Sequence, residues 1–406
     1  MFPIETEPPF RSINISVKRI TFMRVDKAAI EVTLGLFSLA VSLGAAAQTG
    51  SEVSRGPVGP GNVVVHSALG GFILGYDIDQ TGTEGILSEA LVLGDGNADV
   101  AVETFDQKTG KIIKIVSEQK DSKNDFVTLG ISGNSVGLTE FEHVTTLFVD
   151  KRLYGVSNPL NSNKITGKWT PPFKAATDII SSVSATQGVP NTAVMGFKNI
   201  VNDFSSYVFS SNVAANTFGP VFKVSDPVFN FDNSPVLAFN STTNQAVLGG
   251  SNGCFGCTTE IGMVDLTTGK LTEFEGLGFG FINGIAVDSA TGIACTTTED
   301  DFSVEFYDLA KQTGIIVVLP GANNQAQSGG AVVVDPIHKL FLIGQEFTST
   351  GLSGSSIQVF DEQGNFVESL NGFNLPVSAY MALHPSERAG YVLVTPELTT
   401  LQSFTY

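Results

Sequence analysis

Basic side chains are scarce: the 406 residues hold 22 Lys and Arg against 40 Asp and Glu, a net charge of −18 at pH 7. No cluster of Lys or Arg interleaved with aromatics occurs. A surface of this sign repels phosphate backbones and anionic lipid, so nucleic acid is excluded as a partner. Cysteine is limited to three residues, Cys254, Cys257 and Cys295, too few for a disulfide framework or a four-cysteine zinc site. Histidine is limited to His66, His143, His338 and His384, none with a sequence neighbour that would complete a catalytic triad. No apolar run reaches the ~20 residues that a spanning helix needs.

The apolar run that does occur, Val32 to Leu43, follows Arg24 and Lys27 and precedes Ala45-Ala46-Ala47-Gln48. A charged, an apolar and a small-residue region in that order make a secretory signal peptide, cleaved after Ala47, with Met23 a plausible start. An uncleaved anchor is the competing reading, and the shortness of the run argues against it. Residues 1–47 are therefore expected to be extension and signal peptide, 48–61 a Gly-, Ser- and Pro-rich flexible leader, and 62–406 one folded domain. Removing five basic and four acidic side chains with residues 1–47 leaves a net charge of about −19. The expected address is secreted or periplasmic, without a membrane span once the signal is removed.

What the chain has in abundance is glycine (43) and phenylalanine (30), with few helical signals. Short β-rich runs alternate with turn residues. Asn283-Gly-Ile-Ala-Val-Asp288 is followed by a turn and Ile293-Ala-Cys-Thr-Thr-Thr-Glu299. Then come Ser303-Val-Glu-Phe-Tyr-Asp308, a turn ending at Gly314, and Ile315-Ile-Val-Val-Leu319. Comparable first runs end at Asn240, Asp335 and His384, so the anchors Asn240, Asp288, Asp335 and His384 lie 48, 47 and 49 residues apart. A fixed period of that length, with four strands in each, describes the blades of a β-propeller. Weaker copies predict first strands ending at Asp150 and Asn199. Asp106 with Gly110, Asp265 with Gly269, Asp308 with Gly314 and Asp361 with Gly364 mark hairpin turns between third and fourth strands. Those hairpins argue against a parallel β-helix. The length from 62 to 406 gives about seven blades, with six as the alternative. Val63-Val-Val-His-Ser67 is the expected donor of the outer strand that the last blade lacks.

Gly284-Ile-Ala-Val-Asp-Ser-Ala-Thr-Gly292 and Val332-Val-Val-Asp-Pro336 resemble blades of the NHL, YVTN and SMP-30-like propeller families. The resemblance covers most of residues 140–406. It implies the fold; because binding proteins, lactonases and lyases share the motif, it implies no single activity.

Glu299, Glu346 and Glu397 each lie six residues after the start of a second strand, at Ile293, Leu340 and Tyr391. With Asp300 and Asp301 they would put carboxylates into the loops to third strands on one face, an oxygen-rich set able to hold Ca²⁺. A solvated acidic rim is the plainer reading of the same residues. Cys254-Phe-Gly-Cys257 reads as a local disulfide in an exported protein, because a redox centre needs a βαβ setting and zinc a second pair. Cys295 reads as a buried small hydrophobe.

Gly249-Gly-Ser251-Asn-Gly253 matches G-x-S-x-G, but a loop and a strand follow where the nucleophile elbow needs a helix. Asp77-Ile-Asp79-Gln-Thr81-Gly82 lacks the Glu that closes a calcium loop and reads as a turn. Trp169, Phe279 and Phe281 read as packing residues. Three functions follow: a monomeric, non-enzymatic scaffold binding a protein or saccharide, a metal-assisted hydrolase of the SMP-30-like lactonase type, or a purely structural cell-surface module that differs from the first only in its partner. The second needs polar ligands where first strands begin at the propeller mouth. Asn283 qualifies, whereas Gly330 and Ala379 stand at the matching places.

Overall fold

The structure is a computed structural model that describes residues 58–406 except 79–82, 94–97, 123–124, 133–135, 146–147, 158–164, 170–178, 186–191, 200–205, 213–216, 225–235, 252–257, 281, 299–302, 321–325, 350–351, 376–380 and 395–397. Its described residues form seven antiparallel sheets. In the first, Phe72–Ile78, Glu84–Val92, Ala98–Asp106 and Ile112–Ser122 pair in chain order. The second holds Asp125–Ser132, Val136–Thr145, Phe148–Ser157 and Ile165–Trp169. The third holds Ile179–Ala185, Thr192–Asn199 and Ser206–Asn212, with the short Thr217–Phe218 and Phe222–Val224 along its edge.

The fourth sheet runs Val236–Asn240, Gln245–Ser251, Thr258–Asp265, Leu271–Phe279. The fifth runs Ile282–Asp288, Ile293–Thr298, Ser303–Asp308, Thr313–Val318. The sixth runs Ala326–Asp335, Leu340–Ser349, Leu352–Asp361, Phe366–Phe373. The last sheet has three strands from the end of the chain, Met381–His384, Ala389–Val394 and Thr400–Thr405. Its outer strand is Gly59–His66, which pairs antiparallel with Thr400–Thr405. That strand starts at Gly59, inside the span expected to be leader. Pro60 is tolerated there because an edge strand leaves one side unpaired, where a missing N–H costs nothing.

The turns repeat one piece of local chemistry. After each of Asn240, Asp288, Asp335 and His384, the fourth residue on is left-handed: Asn244, Gly292, Lys339 and Arg388. At Asn240, Asp288 and Asp335 the side chain holds the turn closed. Asp335 Oδ1 accepts from the N–H groups of Ile337 and His338 at 2.9 and 3.0 Å, and Asp288 Oδ1 from Ala290 N–H at 2.8 Å. Such Asx turns satisfy backbone donors that the ladder leaves free. The third-to-fourth hairpins use the same device at Asp106 and Asp265, with Gly110 and Gly269 at φ 70° and 73°. At Asp308 the left-handed residue is Gln312, not the expected Gly314, which is already paired with Tyr307 in the ladder.

Two first strands expected from the sequence are something else. The run around Asp150 is not a hairpin: Phe148–Ser157 is one strand, third in its sheet, because Lys151-Arg152 offers no residue suited to a tight turn. Thr192–Asn199 is a second strand, preceded by Ile179–Ala185. That earlier strand, Ile-Ile-Ser-Ser-Val-Ser-Ala, is half polar and gives no apolar run to read.

Several neighbouring sheets share apolar core clusters. Ile261, Met263 and Val247 of the fourth sheet share a core cluster with Ile285, Ala294 and Tyr307 of the fifth. Cys295, Val304 and Phe306 of the fifth share one with Val332, Phe341 and Phe360 of the sixth. The sixth packs on the last through Leu342, Val359, Leu383 and Phe404. The last packs on the first through Ala382, Tyr391, Ile78 and Phe105. At ~25 cal/mol per Å² these inter-sheet faces, not the sheets singly, supply the apolar stabilisation.

Candidate functional site

The expected acidic face lies largely outside the described residues: Glu299, Asp300, Asp301 and Glu397 fall there, as do Cys254 and Cys257 of the expected disulfide. Glu346 is placed, and not as expected. It does not enter a loop but sits inside Leu340–Ser349, its backbone opposite Ser328 on one side and Ser355 on the other. The hairpin to Leu352–Asp361 is paired as far as Ser349 and Leu352, so the strand continues past the point where its neighbours stop. Glu346 is therefore a strand residue, and its side chain lies outside the described part. Among the described residues no group of three His, Cys, Asp or Glu side chains could hold a metal ion. Ser251 of the G-x-S-x-G match is a paired strand residue opposite Thr259.

The structure brings together a different set of acids, which the sequence reading passed over. Glu305, in the third strand of the fifth sheet, is buried at the contact with the fourth. Its carboxylate accepts hydrogen bonds from the hydroxyls of Thr296 at 3.0 Å, Thr259 at 3.3 Å and Tyr307. Tyr307 Oη in turn accepts from Leu277 N–H at 2.8 Å. Burial first, then the charge of Glu305, pushes the Tyr307 phenol far up, so it remains a donor throughout the usual pH range. The backbone of the fourth sheet approaches closely because of Gly278, where a Cβ would stand 1.7 Å from Glu305 Oε1.

Glu103 occupies the matching place in the first sheet, three residues before its turn aspartate Asp106, as Glu305 stands before Asp308. Glu103 Oε2 accepts from Ala68 N–H at 3.0 Å. The neighbouring buried Glu89 accepts from Leu69 N–H at 2.8 Å and Gly71 N–H at 2.9 Å. The two glutamates thus clamp the segment that leads from Gly59–His66 into the first sheet. These buried carboxylates are held by the chain's own donors, which is what burial of a charge requires. For Glu103 and Glu305 the shared three-residue offset from a turn aspartate was a signal in the sequence; Glu89, in a second strand, has none.

A second group of charges links the turns of successive sheets. Lys339 Nζ stands 2.9 Å from Asp288 Oδ2 and 3.6 Å from Glu362 Oε1, and Thr291 Oγ1 donates to Glu362 Oε1 at 2.8 Å. Burial raises Asp288, but hydrogen bonds with Glu362, Lys339 and Ala290 N–H outweigh it and hold the carboxyl below the ordinary value. Glu362 is raised, by burial and then by Asp288. His338 Nδ1 lies 2.7 Å from Asp335 Oδ2, and His384 Nδ1 3.1 Å from Ser386 Oγ. Both histidines therefore serve turns. Cys295 is wholly buried, and burial, then Glu305, pushes its thiol well up. Phe279, expected to pack, is exposed on an outer strand.

No protein-family model and no curated protein matches the chain. Among solved structures it is similar to "Structure of U3-55K", a WD40 β-propeller, with a TM-score of 0.58, 12% identity, and coverage of 86% of this chain and 100% of that one. The likeness shows the fold: the chain is all-β and propeller-like. No helix among the described residues is long and apolar enough to cross a membrane.

Proposed function

We propose that the protein is an exported seven-bladed β-propeller that acts as a binding scaffold for a protein or a saccharide. The observation that carries the fold part is the packing of the last sheet on the first together with the pairing of Gly59–His66 onto Thr400–Thr405. Seven sheets so arranged make a closed ring whose ends are sewn by the N-terminal strand. The scaffold reading is supported by the use made of the buried polar groups: Glu89, Glu103 and Glu305 each hold their own chain. A rigid ring with loops on two faces needs nothing more to bind. The blade motif at Gly284–Gly292 keeps the NHL- and YVTN-like resemblance as the proposed lineage. Residues 1–47 are proposed to direct export and to be removed after Ala47, and Cys254 and Cys257 to pair once outside.

A second reading, a metal-assisted hydrolase, keeps one observation in its favour. Among the described residues the buried hydroxyls of Thr298 and Ser303 have no hydrogen-bond partner, and these two residues flank the segment that carries Glu299, Asp300 and Asp301. Purified exported protein separates the readings. A scaffold retains a glycan on an array or a cross-linked extracellular protein, and chelator leaves that retention unchanged. Turnover of a lactone that chelator abolishes and Ca²⁺ restores rejects the scaffold in favour of the hydrolase.

A further inference from the structure

The outer strands of the sheets differ in how they treat their open edges. An edge strand presents unpaired N–H and C=O groups and invites another strand unless charge, proline or shortness blunts it. Six outer strands are blunted in this way: Lys114 lies in Ile112–Ser122, Lys168 in Ile165–Trp169, Lys223 in the three-residue Phe222–Val224, Glu275 in Leu271–Phe279, Glu368 in Phe366–Phe373 and Pro60 in Gly59–His66. Thr313–Val318 is the exception among the described outer strands of three residues or more. It reads Thr-Gly-Ile-Ile-Val-Val, without charge or proline. Five of its six residues are exposed, and Ile315, Ile316 and Val318 keep 47%, 47% and 45% of their surface in solvent.

The strand is also rigidly held. It pairs with Ser303–Asp308 along all six residues, and Lys311 at its entry is tied to Asp308 at 2.6 Å. The turn of the sixth sheet abuts one face, since a Cβ on Gly364 would meet Ile315 Cδ1 at 2.8 Å and Val317 Cγ2 at 2.9 Å. Ile316 and Val318 point to the other face, beside Glu305 and Ser303 in the ladder. Among the described residues nothing pairs with the outer side.

We propose that Thr313–Val318 receives an extended segment of a partner polypeptide as a fifth strand, apolar and β-branched in its middle and flanked by Lys or Arg. Main-chain bonds would give affinity, and alternate side chains set against Ile316 and Val318 specificity, as in strand addition generally. Two arguments choose this occupant over a second copy of the chain. Six residues span about 20 Å, a contact line far short of the ~1,000 Å² that a lasting interface between folded bodies buries. Each copy also carries a net charge of −18, which drives copies apart and draws a basic-flanked segment in. The proposal rests on the scaffold reading and names its partner chemistry.

The test uses fluorescein-labelled decapeptides with a Val-Thr-Val-Thr-Val-Thr middle: one with two lysines at each end, one with two glutamates, and one lysine-ended with proline at the centre. Fluorescence anisotropy is read with the full chain and with Ile316→Asp and Ile316→Thr, each checked for an unchanged melting curve. The lysine-ended peptide is expected to bind at least tenfold more tightly than the other two. Ile316→Asp should weaken it at least tenfold although the protein becomes more acidic, and Ile316→Thr, which keeps a strand-forming side chain, less than threefold. Equal binding of the proline peptide, or tighter binding by Ile316→Asp, would mean charge attraction without strand pairing and overturns the proposal. Sedimentation showing self-association that Ile316→Asp abolishes assigns the edge to a second copy and overturns it too. If no peptide binds while a glycan or cross-linked protein is still retained, the edge proposal fails and the scaffold reading stands.

Discussion

Tyr406 donates its phenolic hydrogen to Asp335 Oδ2 at 2.8 Å, joining the residue beyond the last strand to a turn of the sixth sheet 71 positions earlier. Asp335 is wholly buried and also accepts from Ile337 N–H and His338 N–H. Burial, then Asp335, raises the phenol far above its ordinary value, so the bond persists at any physiological pH. Tyr406→Phe keeps the ring under the Arg388 guanidinium, 5.5 Å from its centroid, and removes the hydroxyl alone. The expected loss is about 1.5–3 kcal/mol, the usual worth of a bond to a charged acceptor, read as a lower urea midpoint with unchanged slope.

The pair of Asp288 and Glu362 predicts a pH dependence of opposite signs. Glu362 has a raised folded value, so its contribution is fully present below the unfolded value near 4.5 and is lost as pH rises through the folded one. Asp288 has a lowered value, so its contribution is present above the unfolded value near 3.8 and is lost as pH falls. Glu362→Gln should therefore be more stable than the wild type at pH 7, with the gap closing towards pH 4. Asp288→Asn should be less stable at pH 7 and approach the wild type towards pH 3. Urea midpoints at half-unit pH steps read both, and an Glu362→Gln gap that widens on acidification contradicts the assignment.

Gly278 and Glu305 should fail additivity. A Cβ at Gly278 has no room beside the carboxylate. Gly278→Ala is expected to cost more than ~2 kcal/mol, within the range for overpacking. Glu305→Ala is expected to cost a similar amount by leaving Thr259, Thr296 and Tyr307 without their acceptor. In the double variant the added methyl occupies vacated space, so the combined loss should fall below the sum by ~1 kcal/mol or more. A strictly additive cycle measured by denaturant unfolding would place the strain elsewhere.

Cys295 should resist alkylation in the native protein. Its sulfur has no exposed surface, and its raised pKa leaves no thiolate at neutral pH. Iodoacetamide followed by peptide mapping should leave Cys295 unmodified until denaturant passes the unfolding midpoint. Labelling of Cys295 at a rate independent of denaturant would contradict the packing of the fifth sheet on the sixth.

The architecture was legible where runs end at a fixed period, three of the four on an Asn or Asp that starts the turn. The four runs ending at Asn240, Asp288, Asp335 and His384 are all first strands of sheets, and Gly59–His66 does pair with the end of the chain. Reading failed where a strand is half polar, as at Ile179–Ala185, or where a turn is absent, as at Lys151-Arg152. The acids were harder, because their position in sequence says nothing about depth. Glu305 and Glu346 both follow a β pattern, yet whether a strand side chain is buried against the next sheet depends on that sheet's backbone. Gly278, 27 residues away, lets Glu305 in; the three-residue offset from Asp308 marks its place in the strand but not its depth.

The pairing of Gly59–His66 with Thr400–Thr405 sets a timetable for synthesis. Of the described strands, the one made first pairs with the one made last, with Val63 and Ser403 bonded across 340 positions. Until translation delivers Thr400–Thr405, Gly59–His66 has no ladder to join, and its exposed valines must be kept from other strands. Bringing ends so distant together costs about 5 kcal/mol of chain entropy, recovered only when the other sheets already hold them near. A truncation removing Thr400–Tyr406 would therefore strand both ends at once, leaving Ala389–Val394 as a raw edge and the first-made segment without a place in the fold.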